Sequence, residues 1–333
     1  MTMSRALRGP RNDITDVPGF RVGNAEDADV RTGVTVILSD RPAICAGDVR
    51  GGGPGTRETD LLDPSTLVTR ADAVVLAGGS SYGLAAADGV AAWLGARGRG
   101  FSLVKSPDVP PSPIVPAAIL YDLANGGAKD WGIDPPYRRL GLEACEAAVD
   151  GPAPLGRAGA GFGAKAGNTL GGLGSASYAA GDLIVGALVA VNSFGSVKMP
   201  GSDVFWAWPF EEENEFGGRR PTPNWRPIGD MPADTKLSTA KARANTTIGV
   251  VAVSASLTQS DARRVAIMAQ DGLARAIRPV HGPTDGDVIF VLAGGEEKPC
   301  DPLALTRIGL LAADCVARAV ARGVFEAERQ AET

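Results

Sequence analysis

The chain has 333 residues, with 33 lysine and arginine residues and 38 aspartate and glutamate residues, which give a formal net charge of −5. This acidic balance excludes a general polyanion-binding protein, because phosphate contacts require clustered cations, and we expect no nucleic-acid partner. His281 is the one histidine. A histidine-rich metal site is therefore excluded, a Ser-His-Asp triad would have to use His281, and we expect no metal.

The N-terminal segment, Met1 to Asp13, is polar and basic and lacks the apolar stretch of a signal peptide. The apolar run Leu183 to Val191 is far shorter than the roughly 20 residues of a membrane span. The four cysteines show no CxxC spacing, which is typical of buried free thiols in a reducing compartment. These features predict a cytoplasmic protein with no membrane partner.

The first half of the chain predicts alternating strands and helices. Three runs rich in β-branched or apolar residues predict strands: Thr32–Leu38, Ala73–Ala77 and Val115–Leu120. Apolar residues at helical spacing predict a helix over Tyr82–Arg97. Asp134 followed by Pro135 predicts the N-cap and first position of a helix that ends near Val149.

The second half contains a long irregular segment, residues 200–244, with six prolines and no strand or helix period. Three strands are predicted around it: Leu183–Val191, Thr246–Ser254 and Asp287–Ala293. Thr258 and Asp261 form a capping box that opens a helix. Asp301-Pro302 opens a last helix, which Gly323 is expected to end. The chain therefore belongs to the mixed α/β class.

Two glycine-rich segments, RGGGPGTRE (Arg50–Glu58) and GAGFGAKAG (Gly159–Gly167), are candidates for phosphate-binding loops. Lys165 is flanked by alanines, so the GxxxxGK[ST] pattern of a P-loop fails at two positions. A GxGxxA pattern occurs in the second segment, but prolines precede it where a dinucleotide-binding fold has a strand. We interpret both segments as turns packed against a core, and we expect no cofactor.

A hydrolase with a single histidine needs another proton acceptor. One solution is an N-terminal Thr, Ser or Cys whose own α-amine takes the proton. The reference pKa of an α-amine is about 7.7–8.0, close to working pH, whereas that of lysine is near 10.4. Such an amine requires cleavage of the chain, and Asn245-Thr246-Thr247 stands where a strand follows a long loop. The alternative is an ordinary threonine at a strand start.

Seven segments resemble, in order, the DmpA-type aminopeptidase family, which also includes the endo-type 6-aminohexanoate-oligomer (nylon-oligomer) hydrolase. The resemblance runs from about Asn12 to Gly323. The segments are RGGGPGTRETDLLDP (50–64), GGSSYGL (78–84), PIVPAAILYDL (113–123), GRAGAGFGAKAGN (156–168), GALVAVNSFG (186–195), NTTI (245–248) and DGD (285–287).

The resemblance implies one catalytic domain over residues 1–333, with the αββα sandwich of N-terminal-nucleophile hydrolases. It implies self-cleavage between Asn245 and Thr246 into chains 1–245 and 246–333, and a homo-oligomer of cleaved protomers. It further implies the following roles: Thr246 as nucleophile and, through its amine, base; Asn192 as oxyanion donor; Tyr121 as polariser of the scissile carbonyl; and Asp285 and Asp287 as orienting carboxylates. We expect at least one aspartate to contact other groups, because too strong a pairing would keep the amine protonated.

Each of these residues has a structural alternative. Asn192 and the DGD sequence are compatible with ordinary turns, and Tyr121 with a core position. At Asn168 many relatives carry a lysine, and Lys165 is a candidate substitute in the same pocket. His281, close to the DGD turn, is either a pocket residue or a loop residue.

The first functional hypothesis is a self-processing amidohydrolase that cleaves small peptides or amides, as an aminopeptidase does, through an acyl-enzyme on Thr246. An alternative substrate is a 6-aminohexanoate oligomer, which the GGSSYGL and NTTI segments favour. A second alternative is an uncleaved, inactive paralogue with a binding or structural role, which the departure at Asn168 favours.

Overall fold

The computed structural model describes residues 4–227, 229–238 and 245–332. In this part of the chain two β-sheets pack face to face, and helices cover both outer faces. This αββα arrangement confirms the predicted fold class.

The described strands are β1 (Leu7–Arg8), β2 (Phe20–Asp27), β3 (Thr32–Val49), β4 (Thr56–Arg57), β5 (Arg70–Ala77), β6 (Ala117–Ile119), β7 (Lys165–Ala166), β8 (Thr169–Leu170), β9 (Gly172–Ala180), β10 (Leu183–Asn192), β11 (Thr246–Val253) and β12 (Val288–Ala293). The described α-helices are α1 (Ala86–Gly95), α2 (Tyr137–Glu146), α3 (Gln259–Ala276) and α4 (Pro302–Ala331). All the predicted strands are present, but β3 continues to Val49, eleven residues beyond its predicted end at Leu38. The long strands β2 and β9 and the two-residue strands β1, β4, β7 and β8 were not predicted.

The long strand β3 joins the two sheets. The strand order is β1-β9-β10-β11-β12-β3-β5-β6-β4, and β2 also pairs with β3. The first part of β3 pairs with β2 and β5, and its last part, residues 44–49, pairs with β12. The register against β5 shifts between Leu38 and Ala43, where β3 passes from one layer to the other.

Three apolar clusters fill the spaces between the four layers. The first lies between helices α3 and α4 and the sheet that contains β9–β12, the second between the sheets, and the third beneath α1 and α2. Alternate residues of one strand enter different clusters: Val189 and Val251 belong to the first, whereas Leu188 and Val250 belong to the second. Because β10 and β11 are buried on both faces, their sequences are nearly continuous runs of apolar residues.

The start of α2 differs from the prediction. The sequence predicted Asp134 as N-cap and Pro135 as the first helical residue, but α2 begins at Tyr137 with Pro136 as its N-cap. Two adjacent prolines explain the shift, because a residue that precedes proline is disfavoured in the α conformation. The helix also ends at Glu146, earlier than predicted.

The last helix does not end at Gly323, as the sequence predicted, but continues to Ala331. A Cβ on Gly323 would lie 2.8 Å from the backbone nitrogen of Gly174 in β9. This glycine therefore permits close packing of α4 on the sheet. Helix α1 begins at Ala86, after a 3₁₀ turn over Ser80–Ala85, where the sequence predicted one continuous helix.

Residues 200–227 and 229–238 are the described part of the irregular segment that the sequence predicted, and they contain two 3₁₀ turns, Trp208–Phe210 and Lys236–Ser238. Residues 228 and 239–244 of that prediction, and residues 1–3 of the predicted polar N-terminus, lie outside the described residues. Among the helices in the described ranges, none has the length and apolar character needed to cross a membrane.

Candidate active site

Asn192 and Thr246 lie opposite each other, where β10 ends and β11 begins. The two strands are antiparallel, and their register pairs Asn192 with Thr246. Successive side chains of a strand alternate between its two faces. Asn192 is four residues from Leu188, and Thr246 is two residues from Ile248, so each shares the face whose side chains lie between the sheets. Asn192 is 2% exposed and Thr246 is 3% exposed. Strand pairing thus brings two predicted catalytic residues together at one end of the space between the sheets.

The carbonyl group of Asn245 accepts two hydrogen bonds. The hydroxyl of Thr246 donates to it, and the backbone N–H of Gly286 donates to it over 3.2 Å. Asn245 also forms a parallel bridge with Asp285, and its side-chain Nδ2 donates to Thr284 Oγ1 at 3.2 Å. The Thr246 hydroxyl is therefore in direct contact with the peptide bond that precedes it.

The DGD turn before β12 supplies two buried carboxylates. Asp287 Oδ1 accepts the backbone N–H of Thr247 at 2.7 Å. Asp287 Oδ2 accepts the backbone N–H of His281 at 3.1 Å and lies 2.8 Å from Nδ1 of the same residue. Asp285 Oδ2 accepts the N–H of Gly282 at 2.7 Å. Asp287 thus ties the start of β11 to the turn, and both aspartates contact other groups, as expected.

The buried surroundings of Asp285 shift the pKa of its carboxyl group. Burial raises its pKa to about 6, and the Asp287 carboxylate contributes to this rise. Backbone N–H groups of Gly282 and Phe194 and the ammonium of Lys236 oppose it. A carboxyl group with this pKa exchanges protons near neutral pH, a property that is common in catalytic sites.

The first glycine-rich segment packs against the DGD turn. The N–H of Gly53 donates to the carbonyl of Asp285 at 2.7 Å, and the N–H of Arg50 donates to that of Asp287 at 2.9 Å. A Cβ on Gly51 would lie 2.3 Å from both Asp285 O and Asp287 N. Only glycine allows this approach, so the segment is a packed turn, as its sequence indicated.

The side-chain amide of Asn192 is held from three directions. Its Oδ1 accepts the backbone N–H of Lys165 at 3.0 Å and the Nζ of Lys236 at 3.2 Å. Its Nδ2 donates to the carbonyl of Tyr121 at 3.0 Å. Lys236 is buried, and burial lowers its pKa to about 7, although the Asp285 carboxylate acts in the opposite sense.

A pocket of about 150 Å³, enough for a group of roughly benzene size, opens beside Asn192. Its wall includes Tyr121, Lys165, Asn168, Asn192 and Lys236. Lys165 and Asn168 are exposed, in contrast to Lys236. His281 is not among the residues that line this pocket, and its ring contacts Asp287 instead.

The chain matches a known family of proteins over nearly its whole length, since residues 12–333 align with peptidase family S58. The chain belongs to peptidase family S58. An uncharacterized aminopeptidase of Mycobacterium tuberculosis is 43% identical to it over 342 residues, which cover 95% of this chain and 94% of that protein. A 6-aminohexanoate-oligomer endohydrolase of Kocuria sp. is 29% identical over 289 residues, which cover 84% of this chain and 74% of that protein.

Solved structures of similar fold include the L-aminopeptidase D-Ala-esterase/amidase of Ochrobactrum anthropi, which is described as a new variant among the Ntn hydrolase fold. It matches this S58 chain with a TM-score of 0.70 at 21% sequence identity, over 95% of this chain and 86% of that chain. The family resemblance and the fold class predicted from the sequence segments are thereby confirmed.

The sequence of this S58 member did not point to Lys236. The lysine lies in the irregular segment, outside every segment that carries the family resemblance, and no local pattern marks it. The structure brings its ammonium to Asn192, whereas Lys165 reaches the same amide through its backbone N–H. No sequence pattern predicts this contact, because it depends on how the irregular segment packs.

Proposed function

We propose that this S58 member is a self-processing N-terminal-nucleophile amidohydrolase that is cut between Asn245 and Thr246 and then hydrolyses small peptides and amides. The observation that carries the proposal is the contact between the Thr246 hydroxyl and the carbonyl of Asn245, at a strand start opposite Asn192. Membership of a peptidase family supports hydrolysis of peptide bonds, and the name of the 43% identical relative supports aminopeptidase activity.

Self-cleavage starts with attack of Thr246 Oγ1 on the carbonyl carbon of Asn245. The C–N bond breaks, the acyl group moves to oxygen, and the proton of the hydroxyl goes to the departing nitrogen. Water then hydrolyses the ester, which restores the hydroxyl and leaves a carboxyl group on Asn245. The Gly286 N–H, 3.2 Å from this carbonyl oxygen, is suited to stabilise the oxyanion of the step.

In the cleaved enzyme the new α-amine of Thr246 takes the proton from its own hydroxyl, because its pKa is near working pH. The oxygen attacks the substrate carbonyl, and the amide of Asn192 donates to the oxyanion. The leaving amine takes up the proton, and water releases the acyl group from Thr246. Tyr121 lines the pocket beside Asn192, where we expect the substrate to bind.

The two aspartates orient the start of β11. Asp287 does so through the backbone N–H of Thr247, and Asp285 through the bridge to Asn245. Each carboxylate also accepts a hydrogen bond from the backbone of residues 281–282, so neither would pair with the α-amine alone. The amine therefore keeps a pKa at which it can act as a base.

Hydrolysis by the processed protein tests this function. The panel contains amino-acid p-nitroanilides, β-peptides and 6-aminohexanoate oligomers, the last because of the 29% identical endohydrolase. We expect hydrolysis of small amides by the wild type and by Thr246→Ser, which keeps both hydroxyl and amine. Processed wild type that hydrolyses none of these amides would contradict the proposal.

A further inference from the structure

Lys236 is anchored beside Asn192 through both its backbone and its side chain. Its N–H donates to the carbonyl of Phe194 at 3.1 Å. Its Nζ donates to the backbone carbonyl of Asn192 at 2.9 Å and to Oδ1 of the same residue at 3.2 Å. The side chain is 5% exposed. An ammonium from the irregular segment is thus fixed against the end of β10.

The segment that carries Lys236 is itself held in place. The carbonyl of Asp234 accepts the N–H of Asn168 at 3.0 Å, and a Cβ on Gly167 would lie 2.4 Å from the same oxygen. Thr235 is fully buried and its hydroxyl donates to the carbonyl of Pro232 at 2.9 Å. Residues 234–236 therefore pack tightly on the second glycine-rich segment.

The contact with Lys236 favours one of the two orientations of the Asn192 amide. The oxygen and nitrogen of an amide are nearly equal in size, so an unconstrained amide turns over at little cost. An ammonium has three donors and no acceptor, and it therefore requires the amide oxygen on its side. The N–H of Lys165 imposes the same orientation. Both donors direct the NH₂ group toward the carbonyl of Tyr121.

We propose that Lys236 is a positioning residue of the reaction, which holds the Asn192 amide with its N–H groups, not its oxygen, toward the oxyanion. This inference rests on the proposed function. Both residues precede Asn245, so cleavage of the chain there leaves the connection between them intact.

Burial works against the charged form of Lys236. The pKa of Lys236 falls to about 7 because burial penalises its charged form, Asp285 raises it, and Lys165 lowers it. These two groups are the charged side chains that act on Lys236 from the turn before β12 and from the second glycine-rich segment. The ammonium that orients the amide is therefore the major form of Lys236 below about pH 7.

The test is a double-mutant cycle on the full-length protein with the variants Lys236→Met, Asn192→Ala and the pair. Removal of one oxyanion donor typically costs about 10²–10³-fold in kcat. We expect Lys236→Met to lower kcat by about 10- to 100-fold with KM nearly unchanged, and to add less than about twofold in the Asn192→Ala background. Lys236→Arg, which also only donates, should recover part of the loss.

Lys298→Met is the matched control, since Lys298 is exposed on a loop outside the site, and its kcat should equal that of the wild type. If Lys236→Met folds but is not cleaved, the same double-mutant cycle is measured with the half-life of the precursor in place of kcat. Equal losses in both backgrounds, or a wild-type kcat in Lys236→Met, would overturn the inference. Failure of the proposed function looks different, because the wild type itself would then neither cleave nor hydrolyse amides.

Discussion

The two sides of the candidate site are built differently. On the closed side, the DGD turn, the first glycine-rich segment and the start of β11 are joined by backbone hydrogen bonds around aspartates that are at most 2% exposed. On the open side, the exposed Lys165 and Asn168 form part of a pocket wall. Backbone hydrogen bonds surround the peptide bond that we propose is cut, whereas exposed side chains line the pocket that we propose receives the substrate. Changes on the closed side should therefore affect self-cleavage, and changes on the open side substrate preference.

The largest effect is expected for Thr246→Ala on the closed side. Without the hydroxyl there is no nucleophile for either step, so the chain should remain a single 34.1 kDa species with amide hydrolysis reduced by about 10⁴-fold or more. Intact mass and a p-nitroanilide assay measure both outcomes. A variant that still splits before residue 246 would show that the nucleophile is misassigned.

Gly286→Ala tests whether backbone geometry sets the reacting contact. A Cβ on Gly286 would lie 2.7 Å from Thr246 Oγ1 and 2.9 Å from the carbonyl of Gly53. Since displacements of about 1 Å cost about 100-fold in rate, we expect self-cleavage to slow by about that factor. The half-life of the precursor is the measurement.

Gly151→Ala is the matched control for Gly286→Ala, because no atom lies within 4 Å of a Cβ on Gly151. The control should cleave at the wild-type rate. Equal half-lives for the two variants would mean that close packing on Gly286 does not control the reaction.

Asp285→Asn should lower the activity and raise the stability of the protein, and the rise in stability should depend on pH. Burial raises the pKa of Asp285 from its ordinary value of 3.8 to about 6, so the folded state favours the protonated form. The charged form therefore costs stability above pH 6, the cost shrinks as pH falls from 6 to 4, and it vanishes below 4. At pH 8 the variant should gain up to about 3 kcal/mol, a figure that already includes the attraction to Lys236.

Denaturant unfolding at pH 8 and at pH 3.5, on uncleaved protein in a Thr246→Ala background, measures this difference. Asp182→Asn, at an exposed turn between β9 and β10, is the control and should show no gain at either pH. If Asp285→Asn gained the same stability at both pH values, this would contradict the assignment of a buried carboxyl group with a raised pKa.

The smallest effect is expected on the open side. Asn168→Ala removes an exposed amide from the pocket wall, and one neutral hydrogen bond is worth about 0.5–1.5 kcal/mol. We expect KM to change by up to about tenfold, with self-cleavage within about twofold of the wild type. Steady-state kinetics on two substrates of different acyl length measure the first effect. Loss of self-cleavage in this variant would contradict the claim that the open side affects only substrate preference.

Much of the fold was predictable because local signals agreed with the tertiary structure. The capping box of Thr258 and Asp261 and the apolar strands β10 and β11 are present as predicted. The errors arose where a residue served a contact that sequence spacing does not reveal. Gly323, for example, looked like a helix terminator, but it is the point where α4 packs on β9.

The candidate site was predictable to a lesser degree. The family segments marked Thr246, Asn192 and the two aspartates, and β-sheet register explains how residues 54 positions apart become neighbours. Lys236 was not predictable, because its place depends on packing of an irregular segment that has no period. His281 stood close to the DGD turn in sequence, but only the structure shows that it binds Asp287.

Analysis of the chain termini in purified, active wild-type protein tests the central claim most directly. Intact mass and N-terminal sequencing should find a large chain that ends at Asn245 and an 88-residue small chain that begins with Thr246. Active protein in which all 333 residues remain one unbroken chain would contradict the account, because the proposed base would then not exist.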